Sequence, residues 1–173
     1  MFDRTGSALL LALCAACGGG GGTAAPAGPA TDARLSVAPV LVPAGQSSAA
    51  MVVRLDALPR PAALLQFDLS TDFAQLEVDR SIPLGSLQAL PTLDGAMQHD
   101  NGTAVYRVEC GDGQHRSAQL LHTGPLLQIA LRALTATRPL QLPVELRNVK
   151  LVDNAGADLP VAGLPLHFDV ILQ

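Results

Sequence analysis

The sequence predicts an all-β domain, an antiparallel sandwich of two sheets, preceded by a flexible N-terminal segment. From residue 34 onward, apolar and polar residues mostly alternate, which is the pattern of strands that bury one face. The chain of 173 residues contains 13 Pro and 16 Gly, which break it into short segments and disfavour long helices. Hydrophobic residues make up 49% of the chain, which is enough for one core and too many for a wholly disordered protein. Short strands with frequent turns favour a sandwich.

The chain opens with a short apolar run, residues 8–16 (ALLLALCAA). Nine residues are too few to cross a bilayer, which takes about 20, but they suit the apolar region of a secretory signal. The run leads into Ala15, Ala16 and Cys17, which resemble the lipobox of bacterial lipoproteins, with Cys14 where that family usually has Leu. The resemblance implies a signal peptide over residues 1–16, cleavage before Cys17 and a lipid on the Cys17 thiol.

The lipoprotein resemblance also implies a location, the cell envelope, with the chain anchored to a membrane through its lipid. In a Gram-negative source this is the outer membrane, facing the periplasm or the surface, because Gly18 is not the Asp of the family's inner-membrane retention signal. Three alternatives stay open: a cleaved signal without lipid, lipidation at Cys14, and a non-secreted N-terminus.

A Gly, Ala and Pro-rich segment follows and predicts a disordered tether over residues 17–33. It has almost no bulky apolar side chain, so it cannot contribute to a core. A flexible chain of this length has a root-mean-square span of roughly 20–24 Å. The tether therefore holds the domain, residues 34–173, away from the anchor.

Period-two alternation predicts the strands of the domain in order. One segment changes phase: Leu146 and Val149 have opposite parity, and a β-bulge near Arg147-Asn148 would return both to one face. A second, 126–135, has a composition that also suits a helix, but its alternation favours a strand; a short helical turn is expected within 84–92. The clearest alternating runs are residues 51–55, 65–69, 106–110, 127–131 and 164–171.

Turn residues separate these strands. Asn101-Gly102 predicts a tight hairpin because both residues tolerate positive φ. The segments 111–113 (GDG) and 154–156 (NAG) predict turns for the same reason. Pro39, Pro43 and the prolines at 59 and 61 are expected at strand ends or sheet edges.

The order of these segments resembles that of cohesin domains, in the superfamily that also contains certain carbohydrate-binding modules. The local matches are Pro43 and Gly45 in a loop, and residues 64–78 (LLQFDLSTDFAQLEV), where Thr71-Asp72-Phe73 stands in place of an aromatic-Asp-Pro. The resemblance spans nearly all of residues 34–171. It implies a jelly roll of about nine strands that binds dockerin modules or other proteins through one sheet face. Since the binding residues of that family vary, the resemblance assigns no partner-binding residue here.

Charge and composition exclude some functions. The formal net charge is −4, which excludes a nucleic-acid binder driven by its overall charge, since phosphate binding needs a clustered basic surface. Aromatic residues make up 3% of the chain, and there is no Trp. This disfavours a function that depends on stacking aromatic rings against sugars. Phe67 and Phe168 have core parity, which leaves Phe73 as the best candidate for a sugar platform and Tyr106 as the second.

Candidate chemistry is sparse, and the sequence predicts no enzyme. None of the four His has a metal-ligand spacing, no Ser lies in a nucleophile elbow, and Cys110 has the parity of a buried, unpaired thiol. The turn with Asp153, Asn154 and Asp158 is a weak candidate for Ca²⁺, which takes six to eight oxygen ligands. No cofactor is expected beyond that ion.

The resulting hypothesis is a non-catalytic envelope lipoprotein whose sandwich binds another protein, either a dockerin-like module or an envelope component. The first alternative is a polysaccharide-binding module. A structural subunit of an envelope complex and a hydrolase with an unrecognised site are less favoured.

Overall fold

A computed structural model describes residues 31–90, 92–112 and 120–173, which form two facing β-sheets. The predicted signal peptide, Cys14, Cys17 and most of the tether lie outside the described residues, as do Gly113 and His115. The described part contains twelve strands and one five-residue 3₁₀ helix. They are β1 (Ala33–Val37), β2 (Val40–Val42), β3 (Ser48–Ala57), β4 (Ala62–Ser70), β5 (Leu76–Pro83), the 3₁₀ helix (Gly85–Ala89), β6 (Thr92–Asp100), β7 (Thr103–Gly111), β8 (Gly124–Ala133), β9 (Leu140–Asp153), β10 (Asp158–Leu159), β11 (Val161–Ala162) and β12 (Leu166–Leu172).

The first sheet has the strand order β11-β1-β3-β8-β5, and the second has the order β2-β12-β9-β4-β7-β6, with β10 paired to β9. Neighbours are antiparallel except for β1 with β11 and β2 with β12, which are parallel. The predicted two-sheet sandwich is confirmed, and the two parallel pairs make both sheets mixed. Segment 126–135, whose composition also suited a helix, forms a strand instead, since residues 126–133 belong to β8.

The first extended segment serves both sheets. It is interrupted at Ala38 and Pro39, so that β1 pairs in the first sheet and β2 pairs with β12 in the second. Proline cannot donate a ladder hydrogen bond, which suits the place where the chain leaves one sheet for the other. This division is one reason why the structure has more strands than the nine implied by the resemblance.

The predicted bulge lies in β9. Gln66 of β4 is paired with Lys150 of β9, and Asp68 is paired with Arg147. Two steps along β4 therefore correspond to three steps along β9, so β9 carries one extra residue there. Asn148 adopts a positive φ of 52°, which a non-glycine residue accepts at a bulge more readily when it is Asn. Val149 consequently packs against the core, as the parity argument required.

Two of the predicted turns are present, and the third, at residues 111–113, lies partly outside the described residues. Asn101 and Gly102 have φ values of 49° and 82° and close the β6–β7 hairpin, in which Asp100 is opposite Thr103. Gly156 has a φ of 83° in the turn after β9. The expected helical turn within 84–92 is the 3₁₀ helix.

The core lies between the sheets and is formed by alternate residues of both. The buried core residues of the described part run from Ala33 to Leu172. Within the described residues there is no helix of the length and apolarity that a bilayer crossing requires. The largest fully buried side chains include Phe67, Met51, Leu55, Leu65, Leu69, Leu127, Ile129 and Leu131.

Candidate binding face

The outward side of the second sheet carries an ordered set of charged and amide side chains. Asp68 of β4 is the Cα partner of Arg107 on β7 and of Arg147 on β9, so three charged residues stand side by side across three strands. Each has outward parity, since Phe67 and Leu69 on either side of Asp68 are fully buried in the core. We call the part of this outward side around Asp68, formed by β6, β7, β4 and Arg147-Asn148 of β9, the charged face.

Asp68 is fully buried although it lies on an outer face. The Arg107 guanidinium covers the carboxylate and binds it in a bidentate manner. Its Nε donates to Oδ1 at 2.6 Å, and its Nη2 donates to Oδ2 at 2.8 Å. The Asn148 amide nitrogen donates to Oδ2 at 2.8 Å. Bidentate guanidinium–carboxylate pairs are among the strongest polar contacts and fix both partners in orientation.

The β-bulge of β9 brings two more residues of this cluster, Arg147 and Asn148, next to Asp68. Because β9 gains a residue at the bulge, Arg147 and Asn148 both reach the outer face, where strict alternation would place only one of them. The same amide nitrogen of Asn148 lies 3.4 Å from Asp100 Oδ2, and Arg147 Nη2 lies 3.8 Å from that oxygen. Among the described residues, Arg147 Nε is buried and has no hydrogen-bond partner.

The contacts of Asp68 keep it ionised. The hydrogen bond from Arg107 is the main reason why the pKa of Asp68 lies below its usual value of 3.8. Burial opposes this by penalising the charge, while the Asn148 hydrogen bond and the nearby charges of Arg107 and Arg147 add to it. The same hydrogen bond to Asp68 raises the pKa of Arg107. The centre of the charged face is therefore a fixed ion pair.

Negative charge surrounds this centre. The outward positions of β6, β7, β4, β9 and β12 hold six carboxylates against three Lys or Arg side chains. A partner with basic groups matches such a surface better than an acidic one. The carboxylates belong to Asp68, Asp94, Asp100, Glu109, Glu145 and Asp169, and the cations to Arg107, Arg147 and Lys150.

The aromatic residues lie away from the charged face. Phe73 is half-buried at the edge of the sandwich, where it lines a depression of about 250 Å³ with Val78, Met97 and Leu134. Tyr106 is buried, and its hydroxyl lies 3.3 Å from Ser81 Oγ. Phe73 as a sugar platform stays a prediction, and it would have to act as a single ring.

The turn proposed for Ca²⁺ uses its main carboxylate locally. Asp153 is buried; its Oδ1 accepts hydrogen bonds from the backbone of Ala155 and Ala157, and its Oδ2 lies 3.0 Å from Arg60 Nε. Asp158 is exposed and lies 3.7 Å from Lys150. Among residues 31–90, 92–112 and 120–173, no group of three or more His, Cys, Asp or Glu side chains is placed to hold a metal ion. Ca²⁺ binding at Asp153, Asn154 and Asp158 stays a prediction.

Two predictions about single residues are confirmed. Cys110 is fully buried and unpaired, its Sγ lies 3.5 Å from the carbonyl oxygen of Leu65, and burial raises its pKa to about 12. A thiol with so high a pKa is a poor nucleophile at neutral pH. His167 is exposed, as its parity required.

The sequence did not predict the ion-pair cluster. Its members were visible only as polar residues at outward strand positions, 107 and 68 among them. Their contact depends on the pairing of β4 with both β7 and β9, strands that are far apart along the chain. The one local signal was the change of parity at Arg147-Asn148.

Comparison with known proteins shows the fold. No protein-family model matches the chain, and no curated protein resembles it in sequence. Solved structures do match. CaCohA2 from Clostridium acetobutylicum, known from a solution structure, has a TM-score of 0.66 and 14% identity over 82% of this chain and 91% of its own.

Two further structures agree. A non-cellulosomal cohesin from the archaeon Archaeoglobus fulgidus has a TM-score of 0.61 and 16% identity, covering 82% of this chain and 91% of its own. A chain of the Coh-OlpC–Doc435 complex, a type I cohesin–dockerin complex from Clostridium thermocellum, has a TM-score of 0.63 and 10% identity, covering 84% of this chain and 97% of its own. The domain therefore has the fold of cohesin modules, and the predicted resemblance is confirmed at that level.

Proposed function

We propose that this chain is a non-catalytic module that binds another protein through its charged face, as an envelope lipoprotein held by a lipid on Cys17. The observation that supports binding most directly is the fixed Asp68–Arg107 pair on an outward sheet face of a cohesin fold. Matching structures include complexes of cohesins with dockerins. A dockerin-like module is accordingly the first partner to test.

The charged face is preorganised for binding. A sheet face held rigid by ladders and by a buried ion pair loses little conformational freedom when a partner docks, which lowers the cost of association. The surrounding carboxylates steer a basic partner toward it and disfavour an acidic one.

Binding through this face is tested with a matched pair of charge reversals. Glu109→Lys changes the rim of the charged face, whereas Asp56→Lys makes the same charge change on the outward side of β3 in the other sheet. We expect immobilised residues 31–173 to retain a partner from an extract of the native cell envelope. The Glu109→Lys variant should bind that partner at least about tenfold more weakly, and Asp56→Lys should bind it normally.

Retention that is equal in both variants, or no retained protein, would contradict binding through this face. Parallel samples with Ca²⁺ and with a chelator test the turn at Asp153. Binding to insoluble glycan in place of protein, lost in Phe73→Ala, would favour the polysaccharide alternative.

The anchor is tested separately. We propose that Cys17 carries the lipid and that residues 17–33 connect it to the domain. Each buried CH₂ of an acyl chain contributes about 0.8 kcal/mol, so a multiply acylated cysteine would hold the chain stably at a membrane. Labelling of cells with an alkyne fatty acid should mark the wild-type protein and Cys14→Ala, but not Cys17→Ala. Labelling that depends on Cys14, or none at all, would refute this assignment.

A further inference from the structure

Four large apolar side chains of the described residues are exposed, and they form two pairs. Leu41 of β2 is the Cα partner of Ile171 on β12, and both point outward because their neighbours Val40, Val42, Val170 and Leu172 are buried. Met97 and Leu134 share the depression beside Phe73. The first pair lies at the β2 edge of the second sheet, and Met97 lies on β6 at the opposite edge. Paired exposed aliphatic residues are a recognised mark of contact surfaces.

The Leu41–Ile171 pair continues into an acidic depression. Asp169 precedes Ile171 by two residues on the same side of β12, a separation of about 7 Å. From there a cavity of about 380 Å³ extends toward β9 and the end of β4, and Asp72, Glu145 and Asp169 supply carboxylates to its wall. His167, Ser70 and Thr71 complete the polar lining that the structure describes. None of the described residues that line it is Lys or Arg.

No Lys or Arg of the described residues pairs with these carboxylates. Asp72 accepts hydrogen bonds from the Ala74 backbone and from the side chain of Gln75, which orient it without neutralising it. Glu145 and Asp169 form no ion pair within the described residues. The opposite pair differs, because the one carboxylate of its depression, Glu77, is bound by Arg132. Of the two exposed aliphatic pairs in the described part, the one at the β2 edge therefore combines aliphatic surface with uncompensated negative charge.

The distances between these carboxylates favour a charged side chain over a metal ion as the group that binds them. No three carboxylates or imidazoles of the described residues are close enough to share a metal ion. A charged side chain from another protein needs no such convergence, since a Lys or Arg bonds one or two carboxylates and its methylene groups pack on aliphatic neighbours.

We propose that the corner formed by Leu41, Ile171, Asp72, Glu145 and Asp169, called here the acidic corner, receives a segment of the partner protein. That segment carries a Lys or Arg about one strand repeat, or one helical turn, from an aliphatic side chain. The aliphatic group covers Leu41 and Ile171, while the cation enters the depression. The inference rests on the proposed function, because it takes the partner to be a protein, and it adds the chemistry of the contact.

The test uses a peptide as the probe and residues 31–173, which contain every core residue that the structure describes, labelled with ¹⁵N. The probe is a 14-residue amphipathic peptide of Leu and Lys, compared with an analogue that has Ser for Leu and one that has Glu for Lys. We expect amide shifts to concentrate at Glu145, His167 and Ile171 with the Leu/Lys peptide. Each analogue should bind at least about fivefold more weakly, and added salt should weaken the Leu/Lys peptide as well.

Two variants localise the binding. Ile171→Ser combined with Glu145→Gln should abolish the shifts, whereas Met97→Ser, which alters the other exposed pair, should leave them unchanged. The spectra themselves report whether each variant is folded. Shifts centred on Met97, shifts unaffected by the double variant, or tighter binding of the Glu-containing analogue would each overturn the proposal.

The same double variant separates this inference from the proposed function. If Glu109→Lys abolishes capture of the native partner but the acidic-corner variant does not, and the peptide fails to bind, the charged face binds a protein and the acidic corner has no part in it. If the peptide binds at the acidic corner while Glu109→Lys has no effect on capture, the inference stands and the proposed role of the charged face fails.

Discussion

Asp68 shows at the scale of one residue how an outward position can become part of the fold. Its carboxylate would be solvated if Arg107 and Asn148 did not cover it, and with them it is fully buried. Burial of a charge is tolerated only when its partners satisfy it, so each residue of the cluster depends on the others.

The first prediction concerns the pH dependence of stability in Asp68→Asn. Because the folded pKa of Asp68 is lowered, its contribution is complete above the unfolded value of about 3.8 and is lost as the pH falls through the folded pKa. At pH 7 we expect Asp68→Asn to lower the free energy of unfolding by about 1–3 kcal/mol, since it leaves Arg107 without its anion. The difference from wild type should shrink below pH 4. Urea unfolding at pH 7, 5 and 3 measures it.

The control for that prediction is the exposed pair of Glu77 and Arg132, whose side chains are 42% and 53% exposed. Exposed pairs contribute about 0–1 kcal/mol, so Glu77→Gln should change stability little at any of these pH values. An Asp68→Asn penalty no larger than that of Glu77→Gln, or one that is constant with pH, would contradict the role given to the buried pair.

At the scale of the element, alternation predicted the strands because each buries one face, and a one-residue slip would expose Phe67 or Ile129. The bulge in β9 was predictable for the same reason, from the parity of Leu146 and Val149. The division of the first strand was not, since nothing local states that β1 and β2 pair with different sheets. The cluster around Asp68 was equally hidden, because it requires the register of three strands that meet only in the folded chain.

The second prediction compares Gly111 at the end of β7 with Gly45 in the turn between β2 and β3. Gly111 closes β7 with a φ of 126°, and a Cβ there would lie 2.1 Å from the carbonyl oxygen of Ala63, which also accepts the Asp112 N–H. Gly45 has a φ of 80°, and a Cβ there would meet nothing within 4 Å. Gly45→Ala should therefore cost only the strain of positive φ, about 1–2 kcal/mol. Gly111→Ala adds a backbone clash and should cost at least about 2 kcal/mol more.

Thermal and urea unfolding of the two variants measures this difference. Equal costs would mean that the β4–β7 pairing relaxes around the added methyl group, in which case the close approach at Gly111 does not constrain the pairing of these two strands.

At the scale of the whole molecule, the two sheets share one core, and both proposed contact surfaces lie on the outer side of the second sheet. The second sheet carries both the charged face and the acidic corner, and β12, which follows β11 of the first sheet, brings Asp169 and Ile171 to that surface. Anything that loosens the β2–β12 edge should therefore affect the acidic corner before it affects the centre of the domain.

Arg138 is the residue that ties this edge together, and it carries the third prediction. Its guanidinium donates to the carbonyl oxygens of Val42 at 3.4 Å and Gln173 at 2.7 Å, and also to those of Pro43 and Gln46. It thus joins the end of β2, the following loop and the end of β12.

Arg138→Ala should lower the free energy of unfolding by about 1–3 kcal/mol. Hydrogen exchange should accelerate at the amides of residues 41–46 and 171–173, with β3 and β8 still protected, because local opening needs less free energy than global unfolding. Arg138→Lys should recover less than half of the loss, since one ammonium cannot serve four carbonyls. Arg54→Ala, which removes only an exposed pair with Asp56 at 3.8 Å, is the matched control and should leave exchange unchanged at this edge. Uniform acceleration across both sheets would show that Arg138 stabilises the domain as a whole and that the β2–β12 edge has no stability of its own to lose.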